Sequence, residues 1–165
     1  MSEDPSSSQQ KKKILLPVDV TPDHVLGLVE ALNSLGGSID SMYVGDAIFE
    51  RVDILPKAID VAEALGLIRS EQGNLTLTDL GKRVARSDPK SLKYLLKNAI
   101  ARTEPLTELV TILKHRRKIG VEEFESIVEK YYPGRVEEAK KNLLIWGAFL
   151  NLFKMDEDDE EIHLI

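Results

Sequence analysis

Apolar residues recur at intervals of three and four along most of this chain, and the exceptions are short runs bounded by glycine. Val25, Leu28, Val29 and Leu32 fall on one helical face. Thr21 supplies an N-cap for that helix, Pro22 suits its first position, and Gly36-Gly37 stops it. The lead-in "ILLPVDV" reads as extended, because Pro17 opposes a helix. "SID" (38–40) is a short extended piece, and helices are predicted over about 41–50 and 55–65, the second ended by Gly66. Residues 67–70 and 74–78 read as two strands joined by the turn Glu71-Gln72-Gly73, after which Thr78 caps a helix running into Arg86.

The second half follows the same plan. Helices are predicted over about 89–102, 105–117, 121–131 and 135–146, with Pro89 and Pro105 near two starts and Trp146-Gly147 at the last stop. "AFLNLFKM" and "EIHLI" then read as two strands around the acidic turn "DEDDEE". Helix, short strand, helix, helix, hairpin is the order of a winged helix-turn-helix. The predicted fold is mainly α with short β-hairpins, a tandem winged helix-turn-helix over residues 14–88 and 89–165. A generic small α+β domain is the competing architecture. Residues 1–13, almost devoid of apolar side chains, are expected to form a disordered tail.

Charge changes this picture more than composition does. The net charge of −6 conceals a basic centre: residues 82–118 hold 11 bases and 3 acids, while 14–81 hold 3 bases and 11 acids and 119–165 hold 5 and 12. A basic segment between acidic flanks is compatible with a polyanionic partner even in an acidic protein. The absence of cysteine excludes disulfides and thiolate chemistry and suits a reducing compartment. No apolar run approaches the ~18 residues of a membrane span, so no membrane insertion and a cytoplasmic location are expected.

The basic centre supplies the candidate site residues: Lys82, Arg83 and Arg86, then Lys90, Lys93 and Lys97, then Lys114, Arg116, Arg117 and Lys118. Lys90, Lys93 and Lys97 recur at helical spacing opposite Leu92, Leu95, Leu96 and Ala99. Such a stripe is either a solvated cationic face or a phosphate-contacting surface that displaces condensed counterions. The helix over 55–65 exposes mainly Lys57, Asp60 and Glu63, and lacks the Arg, Asn or Gln that make bidentate base contacts. Backbone and shape, rather than sequence, would then be what any nucleic-acid contact reads.

Catalytic and metal chemistry find little support. His24, His115 and His163 are scattered without ligand spacing, and no cysteine joins them. The carboxylate run 156–161 lacks the glycine and terminal glutamate of a calcium loop, and reads as a solvated hairpin tip. No nucleophile elbow or Ser/His/Asp arrangement is recognisable, so no enzymatic activity, cofactor or metal is expected. Trp146, Phe149, Leu150, Leu152 and Phe153 form the densest apolar cluster and read as core between the last helix and its hairpin. Tyr131-Tyr132 reads as a helix end packing over the turn at Pro133-Gly134.

"LGLVEALNSLGGSID" (26–40), "DVAEALGLIRSEQGNLTLTDLGKRVA" (60–85) and "LLIWGAFLNLFKMDEDDEEIHL" (143–164) resemble the AAA-associated C-terminal domain. That domain lies behind the ATPase subunits of nitrate/sulfonate/bicarbonate-type ABC transporters. The resemblance covers most of residues 25–164, and Trp-Gly followed by Leu-Phe is its most specific part. Where the family commonly has a basic residue and a tyrosine after Trp-Gly, this chain has Ala148 and Phe149. No phosphate-binding loop of the form GxxxxGK[ST] occurs. The resemblance thus implies the fold and an accessory, regulatory character without ATP hydrolysis. The expected function is a non-enzymatic regulatory or interaction protein contacting DNA or structured RNA, such as ribosomal RNA, through residues 82–118. The alternatives are an accessory subunit that binds an ABC transporter ATPase, and a homodimerising protein–protein adaptor.

Overall fold

The computed structural model describes residues 13–40 and 53–165. The expected helix over 41–50, and the tail as far as residue 12, lie outside them. Among the described residues the chain is mainly helical, with three small sheets.

Strand β1 (Ile14–Leu15) leads into helix α1 (Pro22–Ser34). The backbone N–H of Thr21 donates to His24 Nδ1 (3.0 Å), which ties off one of the groups a helix start leaves open. Val25, Leu28, Val29 and Leu32 form its buried face. Strand β2 (Ser38–Asp40), helix α2 (Leu55–Ala64) and the hairpin β3 (Ile68–Glu71) and β4 (Asn74–Leu77) follow. The sheet order is β2-β4-β3, all antiparallel. Positive φ at both Gln72 (52°) and Gly73 (81°) makes the two-residue turn whose twist matches a hairpin.

Helices α3 (Asp79–Arg86) and α4 (Pro89–Lys97) come next, then a 3₁₀ turn over Ala99–Arg102 and strand β5 (Thr103–Glu104). The single helix expected over 89–102 is therefore broken at Asn98. The break turns the chain so that β5 runs parallel to β1, pairing Ile14 with Thr103 and Leu15 with Glu104. Lys13, expected in the tail, is placed beside this pair with its Nζ 3.3 Å from Glu104.

Helix α5 (Leu106–Arg116) ends at Arg117, whose φ of 69° turns the chain out of the helix. Strand β6 (Lys118–Gly120), helices α6 (Val121–Tyr131) and α7 (Val136–Phe149), and the hairpin β7 (Phe153–Met155) and β8 (Glu161–Leu164) complete the chain. The second three-stranded sheet has the order β6-β8-β7, antiparallel throughout, which repeats β2-β4-β3.

Two expectations about the last elements need correction. Helix α7 does not stop at Trp146-Gly147 but runs to Phe149, and the strand expected from Ala148 begins only at Phe153. Gly147 is an internal helical residue: a Cβ there would lie 2.4 Å from the Phe153 ring. Its role is close approach of helix to strand. Gly81 does the same for α3, where a Cβ would lie 2.0 Å from the Leu67 carbonyl oxygen.

One continuous apolar cluster, from Leu16 to Ile162, passes through both halves. The segment 16–20 is a strap across the second half. Tyr132 Oη donates to Leu16 O (2.5 Å), Asn142 Nδ2 to Pro17 O (3.1 Å) and Val20 O (3.0 Å), and Trp146 Nε1 to Val20 O (2.9 Å). These donors satisfy carbonyls that the core would otherwise leave dry. Trp146, Leu150, Leu152 and Phe153 are buried, and Phe149 meets the Trp146 ring edge-on at 6.4 Å.

Candidate functional site

The corner between α3 and α4 forms a groove. Thr78 starts α3 by accepting the Gly81 N–H (3.0 Å), while its hydroxyl donates to Gly66 O (2.5 Å). Gly81 and Val84 are the buried residues of α3, which leaves Lys82, Arg83 and Arg86 exposed. Asp88 starts α4 by accepting the Ser91 N–H (2.8 Å). That backbone hydrogen bond holds its carboxyl below the ordinary carboxylate range. Lys82, Arg83, Arg86, Ser87, Ser91, Tyr94 and Leu95 line an open concavity of about 450 Å³ between the two helices.

Helical geometry places the remaining lysines beside the groove rather than in it. At about 100° per residue from Lys90, Lys93 and Lys97 lie at about 300° and 340°, Tyr94 at about 40° and Ser91 at about 100°. Leu96, the buried anchor of α4, lies at about 240° on the same wheel. Lys90 and Lys97 are exposed and Lys93 is half-buried. The Tyr94 ring therefore projects between the lysine stripe and the groove. It is 79% exposed, well above the next large apolar side chain, Leu35 at 49%.

None of the ion pairs among the described residues engages Lys82, Arg83, Arg86, Lys90, Lys93 or Lys97. Over residues 79–97 these six bases face two acids, Asp79 and Asp88, and Asp88 is committed to its cap. The segment that builds the groove is thus net positive.

The third group of expected site residues is placed differently. Lys114, Arg116, Arg117 and Lys118 are not among the groove's lining residues. Arg116 pairs with Glu123 (2.5 Å) and Lys118 with Glu161 (3.3 Å). Arg117 serves as the backbone stop of α5, its N–H bonded to Leu113 O (2.7 Å) and its carbonyl accepting from Leu164 N (2.9 Å). The residues expected to act together thus divide into the six at the α3–α4 corner and a separate group of four, two of which are ion-paired. Tyr94, which sequence reasoning passed over, belongs with the six at the corner. Its signal was an aromatic residue between Lys93 and Lys97 and off the Leu92/Leu96 face.

The outward face of α2 is as expected: Lys57, Asp60 and Glu63 are exposed, and Lys57 is bound to Asp19 (2.7 Å). The hairpin β7–β8 brings His163 Nε2 to 3.9 Å from Asp156 and 3.7 Å from Glu161. These three could offer ligand atoms within 4.8 Å of one another. Lys118 already places a cation at the Glu161 carboxylate, and Asp156 Oδ1 accepts the Glu160 N–H (2.9 Å) as part of the turn. No helix among the described residues is long and apolar enough to cross a membrane.

Comparison with known proteins gives one match. The model of the C-terminal AAA-associated domain family matches residues 42–156. No curated protein and no solved structure matches the chain.

Proposed function

The chain belongs to the C-terminal AAA-associated domain family, and on that premise we propose that it is a non-enzymatic, cytoplasmic regulatory module that holds nucleic acid by its phosphates. The observation that carries this reading is the α3–α4 corner: Lys82, Arg83 and Arg86 line the groove, Lys90, Lys93 and Lys97 stand beside it, and none of the six forms an ion pair among the described residues. Each cation laid against a phosphate releases condensed counterions, which is the main source of sequence-independent affinity. The acidic outward face of α2 argues that such binding reads backbone and shape rather than bases.

We read the architecture as two winged helices over residues 14–88 and 89–165. What supports this is the matching strand order β2-β4-β3 and β6-β8-β7, each sheet joining a short strand that follows a helix to a later hairpin. The β1–β5 pair and the 16–20 strap cross the boundary between the two.

The test is fluorescence anisotropy on unrelated duplex DNA and on structured RNA at several salt concentrations. Replacing Lys90, Lys93 and Lys97 with Ala should make the slope of log affinity against log salt shallower by roughly 2–3. Asp60→Ala and Glu63→Ala should leave sequence preference unchanged. No binding to either nucleic acid at low salt removes this reading.

The family match favours a second reading, an accessory subunit of an ABC transporter ATPase. Recovery of such an ATPase with the chain, lost on charge reversal at Arg83 and Arg86 and indifferent to nuclease, would assign the groove to that partner. Homodimerisation is a further option, read from mass in solution.

A further inference from the structure

We propose that the α3–α4 groove takes an unpaired stretch of nucleic acid, with one base stacked on the Tyr94 ring and neighbouring phosphates held by cations on either side of it. The proposal rests on the nucleic-acid reading above and adds the class of strand. Among the described aromatic residues Tyr94 alone is exposed; Trp146, Phe124, Phe153 and Tyr132 are buried, and Tyr131 and Phe149 half-buried. A ring standing in water gains most from a flat apolar surface laid on it, and every base offers one.

The placement of the ring supports the same occupant. Arg83 and Arg86 line the groove on one side of Tyr94, and Lys90 and Lys97 stand on the other. Lys90 and Lys97 are two helical turns apart, so their stripe extends about 10 Å. A strand crossing the ring therefore meets a cation before and after the stacked base. The concavity of about 450 Å³ is open along its length, so a strand could lie across it. A duplex keeps its bases stacked on one another and would leave Tyr94 without a face to cover it. An acidic peptide would satisfy the cations but offers an aromatic plane only where its own sequence supplies one, whereas every base does.

Anisotropy on one mixed-sequence oligonucleotide, as single-stranded DNA, as single-stranded RNA and as the DNA duplex, tests this together with a polyglutamate peptide of equal length. The single strands should bind at least about 10-fold tighter than the duplex. Tyr94→Ala should weaken single-strand binding by about 5- to 100-fold while leaving the salt slope unchanged, because the ring displaces no counterion. Tyr94→Trp should retain binding, with fluorescence quenched as bases stack on the new indole. Since Tyr94 is exposed, both variants should keep the thermal midpoint of the parent. Equal affinity for single strand and duplex, or a silent Tyr94→Ala, overturns this inference and leaves the broader nucleic-acid reading standing. No nucleic-acid binding at low salt overturns both. Tighter binding of polyglutamate than of either strand assigns the groove to acidic peptides instead.

Discussion

The two three-stranded sheets and their helices share one plan, yet charge is handled in opposite ways at the corner between them and around the second. At the corner where α3 meets α4, between the two halves, six cations form no ion pair among the described residues. Around the second sheet, Arg116, Lys118, Lys130, Arg135 and Lys140 each meet a carboxylate within the described residues. Exposed pairs of this kind contribute little stability, about 0–1 kcal/mol. Their main effect is to cancel local field. The unpaired cations therefore gather at the α3–α4 corner, where the two halves join, while five cations around the second sheet have their charge locally cancelled. The apolar pattern sets the scaffold, and the state of pairing sets the corner apart from the second sheet.

The largest effect should come from the joint between the halves. Trp146 is 1% exposed and bonds the strap at Val20 O. Trp146→Ala should cost about 3–5 kcal/mol, read from urea denaturation. A single transition shifted as a whole would show the halves to be one cooperative unit. Two separated transitions would sharpen the contrast by showing that each half stands alone.

Next come the two close-packed glycines, which test whether the halves are built with equal tolerance. Gly81→Ala and Gly147→Ala should each cost about 1–3 kcal/mol by overpacking. Gly81→Ala should be the worse, since its Cβ meets the Leu67 backbone whereas that of Gly147 meets a ring. Equal thermal midpoints for the two variants would argue against that ranking.

A smaller effect tests the charge contrast itself. Arg116→Ala with Lys118→Ala should change the salt slope of nucleic-acid binding by less than about 1, against roughly 2–3 for the α4 lysines. A change as large as that of the lysines would mean that the ion pairs open on binding.

The smallest concerns Glu108. Lys130, and then the Tyr131 hydroxyl, hold its carboxyl below the ordinary 4.5. The carboxylate is thus favoured by folding: its stabilisation is full above pH 4.5 and is lost as pH falls through the lower folded value. Glu108→Gln should remove that loss on acidification, an effect under about 1 kcal/mol for so accessible a pair. Urea midpoints from neutral pH to below pH 4.5 would measure it. An unchanged acid limb would show the Lys130 pairing to be without thermodynamic weight.

Local signals were legible wherever the local sequence decides the outcome. Thr21-Pro22, Thr78 and Gln72-Gly73 mark starts and a turn through their own backbone chemistry, and the structure uses each as read. Strands β5 and β6 were missed because two or three residues carry no period. They exist through partners far along the chain, Ile14 for Thr103 and Ile162 for Ile119. Gly147 was misread because a helix stop and a close approach use the same residue, and only Phe153 in space distinguishes them. The cations were visible as a run, but their pairing was not. Glu123 and Glu161 reach Arg116 and Lys118 only after folding.

The strap has a consequence for synthesis on the ribosome. The carbonyls of Leu16 and Val20 wait for Tyr132 and Trp146, 116 and 126 residues later in the chain. At about 5–20 residues per second that delay lasts roughly 6–25 s. Throughout it α1 and the first hairpin can form, while the strap stays bonded to water. The strap is thus fastened only by residues made well after it.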